Sequence, residues 1–211
     1  MPKDWRKEQS RDQYFQQAKR DGYRARSAYK LIEMHERFKL IRPGMTILDL
    51  GAAPGSWSQV ATQLGKGAKI VAVDLSPIQP LAGVTPIRGD ITKPETIAQM
   101  QTALGSNADL VMSDVSPATM GIPWVDHARS VELARASLEL AIRFLKPEGK
   151  FVVKVFQGED FDTFVKEARQ HFRQVSVHRP PASRDESREH YVVGVGFRGG
   201  TSSQTDALEK K

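Results

Sequence analysis

The chain contains no cysteine. That absence excludes disulfides, thiolate metal sites and thiol nucleophiles together. Its five histidines (His35, His127, His171, His178 and His190) form no ligand cluster, so no metal is expected. No apolar run approaches the ~18 residues of a membrane-spanning helix, and no apolar segment near the start resembles a signal peptide. The expectation is therefore a soluble, cytoplasmic protein without a membrane partner, acting as a monomer. No internal repeat and no linker-like stretch divides the 211 residues, which suffice for one well-cored domain.

Charge is abundant and unevenly placed. Residues 1–30 carry nine basic side chains (Lys3, Arg6, Lys7, Arg11, Lys19, Arg20, Arg24, Arg26 and Lys30) against four acidic ones. That is a net +5 of the total +6, leaving +1 for the other 181 residues. Trp5, Tyr14, Phe15, Tyr23 and Tyr29 are interleaved with these charges. A basic arm with aromatics reads as a phosphate-contacting surface with stacking platforms, rather than as a merely solvated helix.

Residues 4–20 read as a polar helix that Asp21-Gly22 breaks, and a second helix fits 27–38 with Ala28, Leu31, Ile32 and His35 near one face. Beyond Pro43-Gly44, strands and helices alternate, which predicts a mostly parallel sheet covered on both faces. Helices are expected at 56–64, 94–104, 125–145 and 160–171, with 146–149 as a stop before a strand at 149–156. Short strands at 174–177 and 190–197 close the sheet. The resulting division is an arm over 1–26, a domain over 27–198 and a disordered tail over 199–211.

The most informative stretch is Asp49-Leu-Gly-Ala-Ala-Pro-Gly-Ser-Trp57, which follows the apolar run 45–48. It reads as a strand ending in a glycine turn that opens a helix, a place where a nucleotide-like ligand lies against bare backbone. Gly51 and Gly55 are separated by Pro54, and the third glycine of a dinucleotide fingerprint is missing. A proline there removes one donor, which suits a ligand with no pyrophosphate. Asp74 ends a second apolar strand 19 residues after Gly55, where nucleotide-binding βαβ units hold a ribose diol. Asp90 and Asp114 are expected at the ends of a third strand (85–90) and a fourth (108–114). Open α/β sheets bind ligands beyond the carboxyl ends of their strands, where these residues converge.

This arrangement resembles the class I S-adenosylmethionine-dependent methyltransferases, whose fold is Rossmann-like with a seven-stranded sheet. The resemblance implies S-adenosylmethionine as cofactor, held by Gly51, Pro54, Gly55, Trp57, Asp74, Asp90 and Asp114. A sulfonium nucleoside with an amino-acid tail suits carboxylates and backbone dipoles. A nicotinamide dinucleotide is the alternative that the missing glycine disfavours. With no cysteine, methylation at carbon 5 of a pyrimidine is excluded.

Lys154 lies within Phe151-Val-Val-Lys-Val-Phe156, a run that must be largely buried, and an unpaired ammonium there is costly. Either it snorkels from a strand end or it stands at the ligand-facing edge beside Asp114. Lys30, Asp114, Lys154 and Glu189 also match, in order and spacing, the Lys-Asp-Lys-Glu tetrad of RNA 2′-O-methyltransferases. Ser27-Ala-Tyr-Lys30, 49–59, Ser113-Asp-Val-Ser-Pro117, Val153-Lys-Val-Phe-Gln-Gly158 and Ser187-Arg-Glu189 with Tyr191 are similar to the FtsJ/RrmJ (RlmE) type, over about residues 20–197. That resemblance implies transfer to the 2′-hydroxyl of a uridine in the 23S rRNA A loop of the assembled large ribosomal subunit. A lysine acts as base only if burial or a second cation lowers its pKa, and otherwise stays protonated and stabilises the alkoxide. Sequence leaves both roles open. A cap-type 2′-O-methyltransferase shares the tetrad, while a pure RNA-binding module would not need the aligned acids.

Overall fold

A computed structural model describes residues 13–118, 120–183 and 187–199. In chain order the elements are α1 (Gln13–Arg20), α2 (Ser27–Phe38), β1 (Thr46–Leu50), α3 (Ser56–Leu64), β2 (Lys69–Asp74), β3 (Val84–Arg88) and α4 (Pro94–Leu104). Then come β4 (Ala108–Ser113), α5 (Pro123–Phe144), β5 (Leu145–Phe156), α6 (Phe161–His171), β6 (Phe172–His178) and β7 (Glu189–Phe197). They form one seven-stranded sheet in the order β3-β2-β1-β4-β5-β7-β6. β1 to β5 are parallel, whereas β7 runs antiparallel to both β5 and β6. The expected α/β fold with a mostly parallel sheet is the one formed.

Strand side chains alternate between faces, and the core divides accordingly. Leu48, Leu50, Val71, Val73, Phe151, Val153 and Val155 face one cluster, which α4, α5 and α6 cover. Ile47, Ile70, Met112, Val152, Tyr191 and Val193 face a second, covered by α2 and α3 through Leu31, Met34, Trp57 and Val60. Asp49 lies two residues from Ile47, Lys154 two from Val152 and Glu189 two from Tyr191. The period of two therefore turns all three charged groups toward α2 and α3. On α2 the buried residues are Ala28, Lys30, Leu31 and Met34, while Ile32 and His35 are only half-buried.

Several boundaries differ from the sequence reading, β6 and β7 by one or two residues and three others as follows. α5 starts at Pro123, where the missing N–H costs nothing because a first-turn donor has no helical acceptor. It ends at Phe144, and residues 146–149 are part of β5 rather than a stop before it. The turn-forming residues are absorbed by a register shift against β4 between Ala108 and Leu110, with Glu148 at a φ of 65°. Asp90 lies beyond β3, which ends at Arg88. The predicted helix over 4–20 and the tail over 199–211 fall largely outside the described residues.

Candidate active site

The carboxyl edge of the sheet carries a cleft of about 480 Å³, lined among others by Gly51, Ala53, Asp74, Leu75, Asp90, Asp114 and Pro117. That volume is in the range of small-molecule sites. The turn after β1 is held down by backbone bonds from Gly51 and Ala52 to the Val73 carbonyl, at 2.8 and 3.1 Å. Gly51 has φ 68°, and a Cβ there would stand 2.6 Å from Val115 Cα, so the loops after β1 and β4 meet only because no side chain intervenes.

The acids have partners of their own. Asp74 accepts from the Ala53 N–H at 2.9 Å and from the Ser76 N–H at 2.7 Å, joining the end of β2 to the glycine turn. Asp90 accepts at one oxygen from the backbone and hydroxyl of Thr92, and those bonds lower its pKa. Two of a carboxylate's approximately four acceptor positions suffice for such bonds, leaving acceptor capacity at the cleft. The lining fits a cationic nucleoside, with the carboxylates of Asp74, Asp90 and Asp114 beside apolar Leu75 and Ile91.

Gly51, Asp74, Asp90 and Asp114 line the cleft, and other turn residues have other surroundings. Trp57 is 2% exposed, donates its indole N–H to the Ser27 carbonyl at 2.9 Å and packs near Tyr191. Gly55 and Pro54 face Arg24.

Beside the cleft, the four residues of the expected tetrad come together. Lys154 lies 3.2 Å from Asp114 Oδ1 and donates to the Asp114 carbonyl at 2.8 Å. Asp114 follows β4 directly and its N–H is tied to the Leu50 carbonyl. Lys30 and Glu189 form a second ion pair, each 8% exposed. Removing one partner of a buried pair costs several kcal/mol because the other charge is left uncompensated. Tyr191 connects the pairs, donating its hydroxyl to Asp114 Oδ1 at 2.7 Å, with Lys30 Nζ 5.8 Å from its ring centre. Burial, with Asp114 and Glu189 nearby, raises the Tyr191 pKa well above its usual value, so the phenol remains a donor.

Sequence reasoning overlooked Asp49 as an ionisable group. It is fully buried, accepts from the Ser58 hydroxyl at 2.6 Å at one oxygen, and has no partner at the other. Burial raises its pKa to about 7, with Asp114 and Asp74 adding to the rise and the Ser58 bond opposing it. The available signal was an acid inside an apolar strand, the same oddity that singled out Lys154. Among the described residues no group of three or more His, Asp or Glu side chains is arranged to hold a metal ion.

The arm is more tightly folded than an open set of platforms. Tyr29 packs against both Tyr14 and Tyr23, with ring centres 5.8 and 5.6 Å away, and Tyr29 donates to Asp21. Arg26 donates to the Ala182 carbonyl and lies over the Tyr14 ring. Lys19 and Arg20 are exposed on α1. Trp5 and the basic residues before position 13 lie outside the described residues. No helix among the described residues is long and apolar enough to cross a membrane.

Residues 23–197 match the family model of FtsJ-like methyltransferases. The chain is 53% identical over 187 residues to the ribosomal RNA large subunit methyltransferase E of Archaeoglobus fulgidus, covering 89% of this chain and 96% of that one. It is 47% identical over 197 residues to the protein of the same name from Pseudomonas fluorescens, covering 92% and 94%. Among solved structures, a ribosomal RNA methyltransferase, putative by its own description, from Plasmodium falciparum superposes with a TM-score of 0.77 at 27% identity, over 84% of this chain and all of that one. A Methanococcus jannaschii fibrillarin, at 18% identity and TM-score 0.55 over 75% of this chain and 69% of that one, shares the fold.

Proposed function

The chain belongs to the FtsJ-like methyltransferase family, and from that premise we propose that it methylates a ribose 2′-hydroxyl of 23S rRNA, with S-adenosylmethionine as donor. The observation that carries this reading is the buried Lys30–Glu189 and Lys154–Asp114 pairs standing side by side at the edge of an acid-lined cleft. The names of its relatives support ribosomal RNA of the large subunit as substrate. A uridine of the A loop in the assembled subunit, acted on by a monomer in the cytoplasm, completes the proposal.

When bound, the donor supplies an electrophilic methyl. Transfer of that methyl to the ribose oxygen would leave the donor as a thioether and would require the hydroxyl proton to pass to a base or to solvent. Asp74 and Asp90 would hold the nucleoside's polar groups, and Gly51 and Ala53 of the glycine turn would hold its amino-acid end. Asp114 fixes the Lys154 ammonium through both its carboxylate and its carbonyl. Lys154 faces the 2′-oxygen, either receiving its proton or offsetting the negative charge that develops there. Lys30, anchored by Glu189, orients the ribose. Because a 2′-hydroxyl is a weak acid, alignment of attacking oxygen and methyl supplies much of the rate.

The test is methylation of large ribosomal subunits and of free 23S rRNA side by side, mapping the modified nucleotide. A 2′-O-methyluridine in the A loop, strongest on subunits, is the expected product. A base-methylated nucleotide, or tight binding of a nicotinamide dinucleotide with none of S-adenosylmethionine, overturns the proposal.

A further inference from the structure

The segment between α1 and α2 is fastened to the glycine turn. Arg24 donates from Nη1 to the Pro54 carbonyl at 3.1 Å and to the Gln79 carbonyl at 2.9 Å, and from Nη2 to the Pro80 carbonyl at 2.9 Å. Its own N–H donates to the Gln59 side chain at 2.8 Å, and Gln59 returns a bond to the Gly22 carbonyl at 3.1 Å. Tyr23 adds a third tie, from its hydroxyl to Gln63 at 2.9 Å. Gly55, at φ 103°, presents its bare face to this guanidinium, and a Cβ there would collide with Arg24 Nη1. The missing side chain of Gly55 thus makes room for Arg24.

The three carbonyls belong to two different loops, one after β1 and one after β2. These loops supply Gly51 and Ala53 to one wall of the cleft and Asp74, Leu75 and Ser76 to another. Only the planar fork of an arginine offers donors in a fixed geometry to several acceptors at once. A guanidinium so engaged is poorly placed to meet a phosphate as well.

We propose that Arg24 is a positioning residue of the cofactor cleft, setting the separation of the glycine turn from the Asp74 loop, and that it is not one of the RNA-contacting charges of the arm. The inference rests on the cofactor reading above. It also reassigns one of the nine basic residues that the sequence places on the phosphate-contacting surface.

The experiment compares wild type, Arg24→Ala and Arg24→Lys in three measurements. These are S-adenosylhomocysteine affinity by calorimetry, rRNA affinity over a salt series, and hydrogen exchange of the unliganded protein. Arg24→Ala is expected to weaken the ligand tenfold or more and to raise KM for S-adenosylmethionine with kcat changed less than threefold. It should speed exchange selectively at the non-proline amides of 52–55 and 76–83. Arg24→Lys, with a point charge in place of the fork, should resemble Arg24→Ala rather than wild type, and neither should change the salt slope. A shallower salt slope with unaltered ligand affinity makes Arg24 a phosphate-binding residue and overturns the proposal. Uniformly faster exchange across the sheet overturns it too, as a general loss of stability. If wild type binds no S-adenosylhomocysteine, the cofactor reading fails, while the exchange pattern still decides whether Arg24 holds the two loops.

Discussion

Tyr191 donates its hydroxyl to the same Asp114 oxygen that Lys154 approaches, so one carboxylate oxygen serves both neighbours. Asp114 is thereby held from two sides, by a cation on β5 and a phenol on β7. Tyr191→Phe keeps the ring against Trp57 and near Lys30 while removing only the hydroxyl. A hydrogen bond to a charged acceptor contributes about 1.5–3 kcal/mol net. The variant should therefore lose roughly ten- to 100-fold in single-turnover methyl transfer, with cofactor affinity nearly unchanged. An unaltered rate would show that Lys154 alone suffices to orient Asp114.

Lys154→Ala should reduce methyl transfer by at least about 100-fold, the scale of losing a group that acts on charge developing at the reacting oxygen. Fold and cofactor binding should survive if, as proposed, the lysine acts on the substrate, because Tyr191 still holds Asp114. Lys154→Arg separates its two candidate roles, because arginine keeps the charge but is not deprotonated in proteins. Substantial residual activity in single-turnover assays favours charge stabilisation, and its loss favours proton acceptance. Near wild-type rates for Lys154→Ala would remove the mechanism while leaving the family assignment intact.

Much of this architecture was legible in the sequence because the local signals agreed. The glycine turn, three acids spaced by strand-and-helix units, and a lysine inside an apolar run lead to the observed edge. Helices over Ser27–Phe38, Ser56–Leu64 and Pro94–Leu104 have the predicted limits. The failures arise where tertiary contacts override local chemistry. Lys146-Pro-Glu-Gly149 has the composition of a turn, yet it is a bulge within β5, lying between the Leu145 and Lys150 pairings with β4, with Glu148 at φ 65°. Arg24 looks like a surface charge until the Gln79 and Pro80 carbonyls are folded against it, 55 and 56 residues away in the chain. Tyr14, Tyr23 and Tyr29 likewise look like open platforms until the rings find each other.

Asp49 gives the protein an unusual acid–base signature. Its pKa is about 7 in the folded state against roughly 3.9 when unfolded. The folded state therefore binds the extra proton between those values. Its contribution to stability is full below about pH 4 and lost as pH rises through 7, on the order of a few kcal/mol. Asp49→Asn carries no titrating group there. The difference in thermal stability between wild type and variant should then move in the variant's favour from pH 4 to pH 8. A constant difference across that range would show that Asp49 ionises normally.

Lys19 and Arg20 are the exposed basic pair of α1. Replacing both with alanine should lower affinity for 23S rRNA and flatten its salt dependence by about 0.7 to 0.9 in the log–log slope for each phosphate that is no longer neutralised. Binding of S-adenosylmethionine should be unaffected. An unchanged slope would mean that α1 is a solvated helix and that the polyanion is met elsewhere.

The reversed strand β7 sets a condition on when the two buried ion pairs and their linking phenol can be complete during the protein's own synthesis. Running against β5, it delivers Glu189 and Tyr191 at its beginning, opposite Phe156 and Lys154 where β5 ends. The partners waiting for them, Lys30 and Asp114, emerge from the ribosome far earlier. Until β7 is released and slots between β5 and β6, Lys30 has no counter-ion and Asp114 no phenol. A polypeptide that stops before β7 therefore lacks both the Lys30–Glu189 pair and the Tyr191–Asp114 bond.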